Sequence, residues 1–471
     1  MSDAVWETTT QLLPHQVEAV TKMLPSRVGG LFMEMGTGKT RTAIELARLR
    51  REKIGRVIWF CPVSLKFTVE YEIQKHTTCS PKDVFVFAGR TREDNVPLDC
   101  FWYIVGIESM SLSSRVFYSV AQLVSERCMV IVDEASFIKG PLAKRTKRIT
   151  LMSERARYRL VLTGTPITQG VVDLYAQMRF LSKKILGYQS FYAFANNHLV
   201  YSSKYRDLII GVRNRDWIID RIKPYVYQVT KDECLTLPDK IYGNRYCELT
   251  SEQHDAYEKV KEDFVEDVLR YDDERNLENG IAVFRLFSRL QSIACGIYDG
   301  APIENNRLGL FCDVATRVHD SHVVVWVKYR QNLRDVVALL DSMGRKALAL
   351  EGGVTEKKRQ GVLNEWRDRG GFLVATQAVG SFGLDLTAAA TTIFYARGFK
   401  YAESVQAEDR CHRIGQTRRA TYVSLWALCG IEDRIETALR KKENTLERLR
   451  RDIEEVKSSR RQKLRDFIMR L

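Results

Sequence analysis

Gly29-Gly-Leu-Phe-Met-Glu-Met-Gly-Thr-Gly-Lys-Thr40 begins as an apolar, strand-like run and ends in Gly-x-Gly-Lys-Thr, directly ahead of the helical stretch Arg41–Arg51. Gly36 and Gly38 let the backbone turn sharply, so that the N–H groups around Thr37 and the amino end of the helix face a phosphate. Lys39 is placed to reach the β- and γ-phosphates, and the Thr40 hydroxyl to ligate Mg²⁺. The full phosphate-loop pattern has Gly at position 33, where this chain has Met33.

Cys128-Met-Val-Ile-Val-Asp-Glu-Ala135 supplies the second half of such a site. A buried strand ending in two acids sets Asp133 near the metal and Glu134 over an attacking water. Hydrolysis needs charge neutralisation and a base. An acidic pair after an apolar strand can also merely cap the next helix, and only its company with Lys39 favours the catalytic reading.

Outward from these two stretches, short apolar runs alternate with helical ones, twice over. The first set is Arg56–Pro62, Asp83–Gly89, Phe101–Glu108, Cys128–Asp133 and Tyr158–Thr163. The second is His322–Val327, Lys346–Leu350, Gly371–Thr376, Thr391–Ala396 and Thr421–Ala427. Runs that are apolar on both faces belong to parallel strands covered by helices, so each set predicts a doubly wound α/β lobe. The expected organisation is lobe 1 over 1–228 with a helical insertion near 180–225, a linker and helical insertion over 229–310, lobe 2 over 311–430, and a charged C-terminal helix over 431–471. Ser251–Tyr271 reads as a charged helix and Gly296–Gly309 as loop. Leu439, Leu446, Leu449, Ile453 and Val456 form a short seam, read as a helix folding back across the lobes rather than as a dimer interface, so a monomer is expected.

Lys and Arg number 73 against 59 Asp and Glu, a net charge of +14. Such an excess suits a polyanionic partner and does not choose among DNA, RNA and an acidic membrane. The longest apolar runs are strand-length, far short of a membrane span. Residues 1–10 lack a basic-then-apolar signal pattern, so a cytoplasmic protein is expected. None of the ten cysteines forms a C-x-x-C pair, which argues against zinc on that spacing and for reduced, buried thiols. Most of the seven tryptophans are expected in the core.

In order along residues 10–445, the motifs resemble those of the Swi/Snf family of superfamily-two helicase-like ATPases. Leu12-Leu-Pro-His-Gln16 resembles the adenine-reading motif, in which the Gln16 amide pairs with the adenine edge. Cys61-Pro-Val-Ser-Leu65 and Gly106-Ile-Glu108 are similar to the DNA-contacting motifs Ia and Ic. Asp133-Glu-Ala-Ser136 matches the acidic motif, with Ser136 where the family usually has His. Leu162-Thr-Gly-Thr-Pro-Ile167 resembles motif III. Ala375-Thr376 through Gly380 and Gly383-Leu-Asp-Leu386 resemble motif V, with Asp385 where Asn is usual. Gln406-Ala-Glu-Asp-Arg-Cys-His-Arg-Ile-Gly-Gln416 is similar to motif VI, the most specific match. The family's double Arg before its Lys-Asp is absent, while Lys231-Asp232 remains.

The resemblance implies two tandem RecA-like doubly wound lobes with helical insertions and a C-terminal helix. It implies ATP and Mg²⁺ as cofactors, with Gln16, Gly36, Thr37, Gly38, Lys39, Thr40, Asp133, Gly383 and Asp385 on the nucleotide and Thr40 and Asp133 on the metal. Lys39, Glu134, Arg410 and Arg413 are the catalytic set. Arg410 and Arg413, three apart on an expected helix and able to point the same way, resemble arginine fingers, worth roughly 10³–10⁵ in rate. Double-stranded DNA is the implied track, held without base reading through Pro62, Ser64, Gly106, Thr163, Thr376 and Gln406. A DNA-stimulated ATPase translocating on duplex DNA, able to remodel or anneal it, is therefore expected. A strand-separating helicase is the alternative, and a DNA-binding scaffold without catalysis a weaker one.

Overall fold

The computed structural model describes residues 6–88, 91, 95–164, 171–201, 209–270, 281–354, 356–380, 384–441 and 468–469. The chain divides into two compact units, Met1–Thr236 and Leu237–Leu471.

The first unit is built on a seven-stranded sheet. Its strands are β1 (Val28–Met33), β2 (Arg56–Cys61), β3 (Val84–Val86), β4 (Trp102–Gly106), β5 (Cys128–Val132), β6 (Tyr158–Thr163) and β9 (Val226–Val229), with the small hairpin β7 (Leu199–Tyr201) and β8 (Ile209–Val212) outside it. The order is β3-β4-β2-β5-β6-β1-β9, and every pairing is parallel. Alternate residues of one strand serve opposite faces. Ile58 and Phe60 join one apolar layer, Val57, Trp59 and Cys61 the other. Burial on both faces is what makes these strands read as unbroken apolar runs.

The second unit repeats the plan. β10 (Lys240–Cys247), the small pair β11 (Ile297–Tyr298) and β12 (Ala301–Pro302), β13 (His322–Val327), β14 (Ala347–Leu350), β15 (Gly371–Thr376), β16 (Thr391–Phe394) and β17 (Ala420–Ala427) are its strands. The six-stranded sheet runs β10-β17-β16-β13-β15-β14, again all parallel. Val323, Val325 and Val327 face one layer, Val324 and Trp326 the other. A third cluster unites the helices Ser251–Arg270, Ile281–Ala294 and Gly430–Arg440 through Tyr257, Phe287, Leu290, Ile431 and Ile435.

Several expectations meet corrections. Residues 229–310, read as linker and helical insertion, also supply β10, an edge strand of the second sheet. Its outward residues are polar or half-exposed, including Tyr242 and Tyr246, so it lacks the apolar signature of its neighbours. Gly296–Gly309, read as loop, contains β11 and β12 and the start of the helix Asn306–Arg317. Four of the five seam residues, Leu446, Leu449, Ile453 and Val456, lie outside the described residues. Leu439 packs against the third cluster. Six tryptophans are buried and Trp217 is exposed, stacked on His198. Among the described residues no helix is long and apolar enough to cross a membrane.

Candidate nucleotide-binding site

Parallel strands in register bring their carboxyl ends to one edge of the sheet, where ligands of open α/β folds bind. Phe32 pairs with Thr163 and Val132 with Val161, so the residues that follow β1, β5 and β6 emerge together. After β1 comes the loop to the helix Lys39–Leu49, with Gly36 at φ 81° and Gly38 at φ 87°. Both values lie in the left-handed region that side chains avoid. A Cβ on Gly38 would stand 2.0 Å from Gln16 Nε2, and one on Gly164, after β6, 2.8 Å from Met35 Cγ. The phosphate loop therefore lies tightly against both the adenine-reading motif and the stretch that resembles motif III. Thr165, Pro166 and Ile167 of motif III lie outside the described residues.

Lys39 Nζ donates to the carbonyls of Met33 (2.8 Å) and Glu34 (3.2 Å). Thr37 donates its hydroxyl to Glu34 O at 2.7 Å. Gln16 is buried and its amide is engaged at both ends: Oε1 accepts from Leu13 N (2.9 Å) and Nε2 donates to Thr37 O (3.2 Å). One amide hydrogen and one lone pair remain for an adenine edge. His15 Nε2 also donates to Thr37 O at 2.8 Å, a buttress that its sequence context did not signal.

Asp133 and Glu134 follow β5. Asp133 is pushed up from 3.8 to about 6, first by burial and then by the neighbouring Glu134 carboxylate, with Lys39 and the Glu134 N–H opposing. That N–H donates to Asp133 Oδ1 at 2.9 Å. Glu134 sits at φ 50°, uncommon for a residue with a side chain, and Ser136 Oγ donates to its Oε1 at 3.1 Å. Ser136 is thus wired to the candidate base. These groups suit a Mg²⁺–nucleotide: two glycines hold the loop open to a phosphate, and a disfavoured carboxylate charge awaits a cation.

In the second unit the expected helix around Arg410 and Arg413 is corrected. The helix Tyr401–Glu408 ends before them, with Arg410 in a turn and Arg413 in a bend. Cys411 N and His412 N both donate to Glu408 O (3.1 Å each). Gln416 Nε2 then ties Thr387 O, Ala389 O and Cys411 O at 2.9–3.1 Å, and His412 Nε2 donates to Pro238 O at 2.8 Å. Side-chain-to-backbone bonds hold the segment beyond the helix end. Arg410 is buried and Arg413 partly exposed. Glu408 receives Arg397 at 2.9 Å and the Tyr242 hydroxyl at 2.8 Å, which anchors the segment to β10. Asp385 bonds through Oδ1 to Thr387 N (3.2 Å) and Oγ1 (2.9 Å). Desolvation raises its pKa, but the Arg413 guanidinium and the Thr387 bonds outweigh it and hold the carboxyl below its usual range. What the structure gives Asp385 is a cationic neighbour in motif VI. Gly383 lies outside the described residues.

Of the six DNA-contact candidates, Ser64 and Gln406 keep partial solvent access, while Pro62, Gly106, Thr163 and Thr376 are buried. Gly106 approaches Val63 so closely that a Cβ would meet Val63 Cγ2 at 2.5 Å.

Two family models match the chain. The SNF2-related domain matches residues 15–296, and the helicase conserved C-terminal domain matches residues 306–415. The chain is 26% identical over 365 residues to the TATA-binding protein-associated factor mot1 of Aspergillus fumigatus, covering 65% of this chain and 19% of that protein. It is 24% identical over 330 residues to the putative ATP-dependent helicase/translocase YwqA of Bacillus subtilis, covering 67% and 34%. The chain thus spans well under half the length of these relatives. The helicase domain of Pyrococcus furiosus Hef shares the fold, with a TM-score of 0.55 at 13% identity, covering 91% of this chain and 98% of that one. With the first domain alone matching more than half of its residues, the chain belongs to the SNF2-related family, the Swi/Snf branch of superfamily-two helicase-like ATPases.

Proposed function

We propose that this chain is a DNA-stimulated ATPase that translocates on double-stranded DNA. The observation that carries the reading is the convergence, at one sheet edge, of a left-handed glycine loop, Lys39, and a carboxyl pair whose first member is held near a pKa of about 6. Lys39 would exchange its carbonyl partners for phosphate oxygens, and Thr40 and Asp133 would hold Mg²⁺. The metal would neutralise phosphate charge as the bond to the leaving oxygen lengthens. Glu134, oriented by Ser136, takes the proton of the attacking water. Arg410 and Arg413 are the candidate arginine fingers, which would act on the developing charge.

DNA is held by phosphate contacts through Ser64, Gln406 and the surplus of basic side chains, with the buried Pro62, Gly106, Thr163 and Thr376 shaping the contacting loops. A net charge of +14 supports sequence-independent binding that weakens with salt. The family membership supports duplex translocation over strand separation. Phosphate release measured with and without duplex DNA tests the ATPase, and triplex displacement run beside fork unwinding tests the track. Absence of DNA stimulation would overturn the first, and fork unwinding without triplex displacement the second.

A further inference from the structure

The Lys231-Asp232 pair is a motif that the reading above leaves without a task. Lys231 opens the four-residue helix Lys231–Cys234, six residues before Leu237, where the second unit begins. That helix already carries its own cap. Thr230 and Glu233 form a capping box, with Thr230 N donating to Glu233 Oε2 at 2.7 Å. Yet the Lys231 N–H donates to Glu34 Oε2 at 2.8 Å, across 197 residues of sequence.

Glu34 belongs to the phosphate loop, and all three of its polar groups are committed. Its N–H donates to Val229 O at 3.0 Å. Its carboxylate takes the Lys231 amide. Its carbonyl accepts from Lys39 Nζ at 3.2 Å and from the Thr37 hydroxyl at 2.7 Å. Two of these bonds run to the end of β9 and the segment leading to the second unit, and two to Lys39 and Thr37 of the phosphate loop. A phosphate at Lys39 competes with the Met33 and Glu34 carbonyls for its ammonium, so binding there bears on Glu34.

We infer that Glu34 is a positioning residue that transmits the state of the phosphate loop to the Thr230–Leu235 segment, through its carboxylate bond to the Lys231 amide. The inference rests on the ATP reading, because the stimulus it transmits is a phosphate at Lys39. A carboxylate acceptor makes a stronger bond than a neutral one. Nucleotide that fixes the loop therefore raises protection at Lys231, provided the carboxylate is there to carry it.

The test is hydrogen exchange of peptides covering Thr230–Leu235 in the full chain. Each protein is measured free and saturated with a non-hydrolysable ATP analogue and Mg²⁺, saturation being established by titration with a fluorescent ATP analogue. In the unaltered protein the analogue slows exchange in this segment several-fold. In Glu34→Ala the segment exchanges about tenfold faster and does not respond to the analogue. Glu34→Gln, which keeps an acceptor oxygen, restores the response at a faster basal rate, and it serves alone if the alanine variant does not fold. A purely structural cap would give faster exchange in Glu34→Ala with the response intact, and that result overturns the inference. Saturable binding to the unaltered protein with no change in the segment also overturns it and leaves the ATP reading standing. No saturable binding at all removes both.

Discussion

Replacing Asp133 with Asn should make the first unit more stable at neutral pH while abolishing Mg²⁺-dependent hydrolysis. The carboxyl is raised from 3.8 to about 6, by burial first and Glu134 second. At 1.36 kcal/mol per unit, a shift of about two units costs the folded state roughly 3 kcal/mol once the group is ionised. Asp133 keeps some solvent contact at the sheet edge, so this is a ceiling. The sign follows from proton counting. Between pH 3.8 and about 6 the native state binds more protons than the unfolded one, so stability falls as pH rises through that window and is level above it. Asn carries no charge, and its Oδ1 can keep the 2.9 Å bond from Glu134 N. The gain from Asp133→Asn should therefore be near zero at pH 4 and reach its full value, up to about 3 kcal/mol, by pH 7.5. Native-state hydrogen exchange of β5 amides, variant against parent at each pH, reads the first unit alone and cancels the intrinsic pH dependence of exchange. No gain at pH 7.5, or the same gain at pH 4 and pH 7.5, would refute a desolvated carboxylate at this position.

Lys39→Ala and Glu134→Gln should each reduce phosphate release to background, with the glutamine variant still binding a fluorescent ATP analogue; turnover in either would place the site elsewhere. Arg413→Ala should lose DNA-stimulated turnover and retain DNA binding by anisotropy, and full stimulation would remove its role on the phosphate. In the second unit, buried Arg307 is paired with Glu432 and donates to Tyr395 O (2.7 Å) and Leu425 O (3.2 Å). Glu432→Ala leaves that guanidinium buried without its counter-ion and should cost about 3–5 kcal/mol. Exchange of β17 amides measures this, and replacing both partners with apolar residues of similar volume should recover most of the loss.

Most strands of both sheets were legible because covering both faces forces unbroken apolar runs, as in His322–Val327 and Cys128–Val132. β9 and β10 were not. β10, an edge strand with one open flank, carries Lys240, Asn244 and Arg245, and nothing in that alternation shows that it pairs with β17 over eight positions. The residue identities at the nucleotide site were legible, because Gly-x-Gly-Lys-Thr and Asp-Glu have few other uses in that order. Their relations were not. Spacing of three suggested a helical face for Arg410 and Arg413, but the helix ends before them and the Gln416 side chain takes three carbonyls beyond it. Thr163 and Thr376 looked like hydroxyls for a phosphate. Their places at the ends of β6 and β15 bury them, and burial at a strand end depends on the neighbouring strands rather than on the local sequence.

An acidic pair after a buried strand has an ordinary use as a helix cap, and the sequence alone could not discard it. The geometry does. A capping carboxylate accepts N–H groups from the first turn, and such bonds lower its pKa. The short helix Ala135–Ile138 has no side-chain cap bond from Glu134, which occupies its N-cap position at φ 50°. Asp133 accepts the next residue's N–H, and its pKa is raised rather than lowered. Capping would have been cheaper for the fold than what is observed: a disfavoured charge, a left-handed glutamate and a lysine turned onto backbone carbonyls, all at one sheet edge. Strain of this kind persists where the surroundings overdetermine it, and it clusters at ligand sites. A single ligand class, a divalent cation with a phosphate, would relieve the charge on Asp133 and give Lys39 an anion in place of two carbonyls.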